Sequence, residues 1–223
     1  FSIVTYTATG SGDITVGHGL GVKPEFILGK VKNQAFGWNI YGLPFGTSNV
    51  ASFVDSSSNA NSSPARQPSS GVAFGQTEPT ATVFTAGRGS EDNMNFASGN
   101  EVVAYCFASK EGYQKIGTFT GVGGADNQFV YLGFRPAFFM IKRINSTGDW
   151  VMYDNARDTF NVGSSRVSAN LDSNEISGAS NYGIDFVSNG VKLRSGQADT
   201  AGDGGTYFYL AIAEQPFKYA NAR

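Results

Sequence analysis

The sequence predicts an all-β protein made of two tandem, homologous antiparallel β-sandwiches of jelly-roll type, covering residues 1–111 and 112–223. Three observations lead there. First, a segment recurs: His18-Gly-Leu-Gly-Val-Lys-Pro-Glu-Phe-Ile-Leu-Gly-Lys30 returns as Val130-Tyr-Leu-Gly-Phe-Arg-Pro-Ala-Phe-Phe-Met-Ile-Lys142. Pro24 answers to Pro136, Trp38 to Trp150 and Tyr41 to Tyr153 at one constant spacing, about half the chain, so each copy is long enough to fold alone. Second, 29 Gly and 18 Phe stand beside only 15% charged residues, which favours short strands and tight turns over helices. Third, apolar runs alternate with turn residues roughly every 8–12 positions, as in sandwiches and barrels, and no stretch has helical spacing.

In the first copy, strands are expected at residues 3–8, 25–32, 37–41, 48–54, 81–86 and 101–108. The second copy repeats the pattern at 115–120, 137–144, 150–153, 166–171, 182–187, 191–195 and 206–213. Asn33-Gln-Ala-Phe-Gly37 and Asn145-Ser-Thr-Gly-Asp149 have the composition of hairpin turns, since Asn and Gly accept positive φ. Trp38 and Trp150 follow these turns and are expected to cap the two cores, their N–H groups bonded to carbonyls. In Phe138-Phe-Met-Ile141 and Tyr207-Phe-Tyr-Leu-Ala-Ile212 both faces are apolar. Such strands are covered on both sides, or on one side by a neighbouring subunit.

Variation between the copies gathers in polar loops. Residues 56–71, rich in Ser, Asn and Pro, and residues 161–181 are the expected sites of specificity. Asn59, Asn61, Arg66 and Gln67 in the first, with Asp172, Asn174 and Glu175 in the second, are the candidate binding residues.

Composition restricts the function. A net charge of −2 lacks the basic surface that nucleic acid requires. No run reaches the roughly 20 apolar residues of a membrane helix, so a soluble protein without membrane insertion is expected. Phe1 in place of Met implies a preceding segment, and no signal-peptide pattern is visible. The single Cys106, opposite Ala211 in the other copy, reads as a small buried residue. His18 has no second histidine for a triad or a zinc site and is expected to pack near its Gly-Leu-Gly turn.

Glycan hydrolysis would need paired carboxylates about 5–10 Å apart. Asp154, Asp158, Asp172, Glu175 and Asp185 occur in the second copy, but Gly42 stands opposite Asp154, and Asp154, Arg157 and Asp158 read as a local ion pair. No catalytic residue is assigned. No cofactor is expected, although Asp199 and Asp203 lie in an acidic, Gly-rich turn of the kind that can hold calcium.

Several segments also carry a resemblance. The closing run from Gly205 through Tyr-Phe-Tyr-Leu-Ala-Ile-Ala213 to Arg223 is similar to the end of virion proteins from marine bacteriophages, cyanophages among them. Phe129 to Arg143, Gly148 to Asp158 and Val103-Ala-Tyr-Cys-Phe107 resemble further segments of that family, while residues 47–80 resemble it little. The resemblance implies a phage structural protein on the virion exterior, often the C-terminal part of a tail fibre, with no enzyme activity. The partners expected are other copies of itself, as a trimer, other virion proteins, and a host surface glycan or protein. A capsid decoration or tail accessory role, and a glycan-depolymerising enzyme, are the alternatives.

Overall fold

The computed structural model describes residues 1–42, 51–53, 73–75, 77–88, 94–146, 148–178 and 180–215. These form two compact units, Phe1–Ala108 and Ser109–Arg223, and both are all-β.

The first unit contains β1 (Ser2–Thr7), β2 (Ile14–Gly17), β3 (Phe26–Val31), β4 (Trp38–Gly42), β5 (Ala51–Phe53), β6 (Val83–Ala86) and β7 (Glu101–Phe107). Its larger sheet runs β1-β7-β3-β4-β5, and β2 pairs with β6 in a second sheet. Period-two alternation turns Val4 and Tyr6, Ile27 and Val31, and Val102, Ala104 and Cys106 to one side. There they meet Val16, Phe84 and Ala86 from the second sheet in one core. Cys106 is buried and unpaired with another cysteine, and loss of hydration pushes its thiol up to about 12.

The second unit contains β8 (Gln114–Thr120), β9 (Phe129–Tyr131), β10 (Pro136–Arg143), β11 (Trp150–Asp154), β12 (Val167–Ser168), β13 (Ile184–Val187), β14 (Gly190–Leu193) and β15 (Thr206–Ala213). The larger sheet runs β12-β11-β10-β15-β8 and the smaller β13-β14-β9. Phe139, Ile141, Val151, Tyr153, Tyr207 and Tyr209 face Val130, Ile184, Phe186, Val191 and Leu193 across the core. In both units the first strand of the larger sheet pairs with the last, and the last pairs with the first strand of the tryptophan hairpin. Among the described residues the strands divide five against two in the first unit and five against three in the second.

Both faces of β15 are buried within one chain, Tyr207 and Tyr209 on the core side and Phe208 and Leu210 on the other. A neighbouring subunit is not needed to cover them. The β3–β4 and β10–β11 hairpins form as the Asn- and Gly-containing turns require. Each turn is tied to the strand beside it by the same two bonds. Asn33 Nδ2 donates to Gly99 O at 3.1 Å and its Oδ1 accepts from Glu101 N at 2.9 Å. Asn145 donates to Gly204 O at 3.0 Å and accepts from Thr206 N at 3.0 Å.

The sequence pattern misjudged several elements. β2 and β9 were not expected, because strands of three or four residues show too few alternations to be told from loop. β12 covers only Val167–Ser168 of the expected 166–171, and residues 161–181 are no single loop, since they enclose that strand and a 3-10 turn at Ser180–Tyr182. Pro24 is buried two residues before β3, whereas Pro136 opens β10, where its missing N–H costs no ladder bond.

The two tryptophans correspond in position and differ in environment. Trp150 is 2% exposed and meets Phe208 edge-on at 5.8 Å between ring centroids, whereas Trp38 is 37% exposed and lies tilted against Tyr105 at 6.3 Å. Registry supplies the reason. Lys142 pairs with Phe208, which meets the Trp150 ring, while the equivalent Lys30 pairs with the smaller Val103 and Trp38 leans on Tyr105 instead. Trp38 is therefore not the core residue that the repeat suggested.

His18 is buried beside its Gly-Leu-Gly turn. Its Nδ1 accepts from Leu20 N at 3.2 Å, which leaves Nε2 as the donor to Thr80 O at 3.1 Å. Both ring nitrogens are occupied by backbone, a structural role.

One buried side chain organises the turns of the second unit. Asn127 Oδ1 accepts from Val122 N at 3.1 Å and from Gln128 N at 2.7 Å. Its Nδ2 donates to Ser195 O at 2.8 Å and Ala201 O at 2.7 Å. Around it the backbones close up, with Gly123 N donating to Ala201 O and Gly121 bonded both ways to Gly204 and Gly205. This knot fixes the turn that carries Asp199.

Candidate functional site

The strongest gathering of charge lies at one end of the second unit, where the β10–β11 turn meets the turn around Asp199. Lys142, at the end of β10, is buried and donates through Nζ to Gly148 O at 2.6 Å. Lys30 does the same to Phe36 O in the first unit, but only half-buried. Burial pulls the Lys142 ammonium down to about 8, against the opposing pull of Asp149 and Asp199 and with Arg143 assisting. The folded chain thus releases this proton about two units below the ordinary lysine range, while the unfolded chain keeps it. Between pH 8 and 10.5 the unfolded state binds more protons, so the contribution of this group to stability rises with pH there, by about 3 kcal/mol across the window. We expect the melting temperature to climb between pH 8 and 9.5 relative to a Lys142→Met variant, and the two curves to run parallel below pH 7. Parallel curves throughout would show that Lys142 titrates normally.

Arg166 sits before β12 with its guanidinium over the Tyr182 ring at 3.7 Å and its Nη1 3.9 Å from Asp199 Oδ2. It is buried, and its Nε and Nη1 have no hydrogen-bond partner among the described residues, so the ring face and the carboxylate are what offset its charge. Its backbone bonds both ways with Ile176, at 2.8 and 3.0 Å. Tyr182 in turn accepts at its carbonyl from Tyr153 Oη at 3.1 Å. One arginine therefore holds a long exposed segment against the sandwich.

That segment is braced further along. Arg157 joins Asp154, at 2.6 Å from Nε to Oδ2, and Glu175, at 3.4 Å from Nη1 to Oε2. Partial burial pushes the Asp154 carboxyl up, but the Arg157 and Ala156 backbone N–H groups and the Arg157 guanidinium outweigh it and hold the group below the usual range. Asp158 takes no part in that pair. Its Oδ2 accepts from the backbone of Ser164 at 2.7 Å and Ser165 at 2.5 Å. Asn161 bonds Phe186 at both backbone atoms, 2.9 Å to N and 3.2 Å to O. On either side of Asn161, Phe160 is 85% exposed and Val162 56%. Leu171 and Ile176 are exposed in the same segment.

Of the candidate residues, Asp172, Asn174 and Glu175 lie on this exposed stretch, Glu175 held by Arg157. Asn59, Asn61, Arg66 and Gln67 lie outside the described residues. Asp199 and Asp203 do not converge: Asp199 serves Arg166, and Asp203 lies against Gly123 on the exposed side of the turn. Among the described residues no three His, Cys, Asp or Glu side chains gather as metal ligands, so the calcium reading of that turn finds no ligand set there. Among the described residues, too, no helix is long and apolar enough to cross a membrane. Arg166, Asn161 and Phe160 went unread in sequence. A polar residue flanked by exposed apolar ones carries no periodic signal, and Arg166 is recognisable only once Tyr182 and Asp199 are folded beside it.

The fold and this end define an all-β sandwich protein that presents a polar-braced loop on a rigid frame. The chain belongs to the family described as a domain of unknown function, DUF7483, whose model matches residues 1–216 and so spans both units. No curated protein and no solved structure matches it.

Proposed function

We propose that the chain is a bacteriophage virion structural protein, serving as an adhesion module of a tail fibre that meets the host surface through its loops. Two things support this reading: the resemblance of its segments to marine phage virion proteins, and the geometry of the second unit. The observation that carries it is the segment between β11 and β13. Its polar groups tie it to the frame through Arg157, Asp158, Asn161 and Arg166 while it keeps large apolar side chains in solvent. Rigid scaffolds that hold such loops are the common design of binding proteins.

The module works as an assembly of identical copies, for which we propose a trimer, attached to other virion proteins. No enzymatic step is assigned. A glycan-cleaving carboxylate pair needs a general acid with a raised pKa, and Asp154 is held down by Arg157.

Antibody labelling of intact phage, together with adsorption assays in the presence of purified chain, tests the proposal. Label at the distal tail and adsorption that falls as chain is added are expected. Label spread over the capsid, with adsorption unchanged, would replace adhesion by a decoration role.

A further inference from the structure

Resting on the adhesion reading, we infer that Phe160 and Val162 form the contact tip, and that the surface they meet is a protein carrying an apolar socket edged with lysine or arginine. The loop inverts the usual arrangement of a surface segment. Asp158 and Asn161, the residues expected to face water, turn inward and bond the backbone of Ser164, Ser165 and Phe186. Phe160 and Val162, which flank Asn161, are left in solvent. Val162 has a ledge beneath it. Its Cγ1 lies where a side chain at Gly183 would stand, 2.7 Å from a built Cβ, so its outward course is fixed by close packing at its base. A loop braced in this way keeps its apolar tip displayed and loses little freedom on binding.

The chemistry around the tip selects the partner class. Recognition of a glycan needs planar polar side chains beside an aromatic ring to bond sugar hydroxyls, and those closest to Phe160 along the chain, Asp158 and Asn161, are already engaged with backbone. An acidic polysaccharide or anionic lipid surface meets like charge. Asp154, Asp158, Asp172 and Glu175 stand against Arg157 at the surface of this segment, since Arg166 is buried and Arg194, which meets Val162 at Gly183, is already paired with Asp185 and Asp126. An apolar socket in a protein, with cations at its rim, complements both the tip and the acidic surround.

The test uses the full chain, fluorescently labelled, on marine cyanobacterial cells, on the same cells shaved with protease, on their extracted lipopolysaccharide, and on phosphatidylglycerol-containing vesicles. Binding to intact cells that disappears on shaving is expected, with affinity reduced about tenfold or more by Phe160→Ser and by Val162→Ser at unchanged melting temperature. Glu175→Lys should slow association, an effect that added salt removes. Binding that survives shaving, or that transfers to lipopolysaccharide or vesicles, would overturn the protein-partner assignment. Wild-type affinity in both serine variants would overturn the tip while leaving adhesion standing. Failure of the unaltered chain to bind any cell would remove both readings.

Discussion

Replacing Asn127 by alanine should destabilise the second unit by about 3–5 kcal/mol, the largest effect expected from any single polar side chain described above. The side chain is 2% exposed and joins three turns, accepting from Val122 and Gln128 and donating to Ser195 and Ala201. Alanine leaves the Ser195 carbonyl and the Val122 and Gln128 N–H groups without their partner and Ala201 O with Gly123 N alone, and each such loss costs about 1 kcal/mol or more. For a unit of roughly 100 residues the melting temperature should fall by more than about 10 °C. Each described unit holds one tryptophan, so fluorescence in a Trp38→Phe background reports the second unit through Trp150. Asn127→Asp is the informative companion. It keeps the acceptor but sets a buried carboxylate against Ser195 O and Ala201 O, so at pH 7 it should lose at least as much stability as alanine. A loss below about 1 kcal/mol in the alanine variant would mean that water replaces the amide and that the knot is held by the backbone bonds alone.

Gly121→Ala is the second large effect, about 2–4 kcal/mol in the same unit. A methyl at this position would lie 2.5 Å from Gly202 O and 2.6 Å from Ala201 C and O, so the atoms in its way belong to backbone that cannot swing aside. Those atoms are held by bonds that the knot needs. Gly121 N donates to Gly205 O at 2.8 Å and Gly204 N donates to Gly121 O at 3.1 Å. Moving one chain to admit the methyl breaks these bonds, and Gly123 N to Ala201 O with them. The control is Gly17→Ala in β2, where the added methyl would lie 3.9 Å from Thr82 O at an ordinary contact distance. Thermal unfolding should show a loss of about 10 °C or more for Gly121→Ala and almost none for Gly17→Ala. Equal behaviour of the two would show that the turns around Ala201 yield easily.

Both effects sit in turns, and no local pattern announces them. Gly121-Val-Gly-Gly124 is legible as a turn, and Asn127 as one more polar residue in it. Nothing local says that the Asn127 amide will reach Ala201, 74 positions away. The repeated turn asparagines, Asn33 and Asn145, are similar. Their place in a hairpin follows from composition, but their bonds to Gly99 and Gly204 need the neighbouring strand in register.

The exposed segment shows the same division at a candidate site. Asp154 and Arg157 were readable as a pair because they are three residues apart, and the structure keeps that pair. Asp158 looked like its third member and is instead the acceptor for two backbone N–H groups, a role decided by how the chain returns at Ser164 and Ser165. Phe160 carries no local signal that it will be exposed. Its exposure follows from Asn161 on its C-terminal side taking the inward position against β13.

What the sequence determined by itself was the all-β class, most strand positions and the two hairpins, because alternation and turn composition act over a few neighbouring residues. Tertiary structure alone decided which of two equivalent tryptophans is buried, where Arg166 and Asp199 meet, and which side of residues 158–162 faces water. Those outcomes depend on volumes and partners supplied by strands far away in the chain, such as Phe208 meeting Trp150 edge-on while Trp38 leans on Tyr105, and no local pattern encodes them.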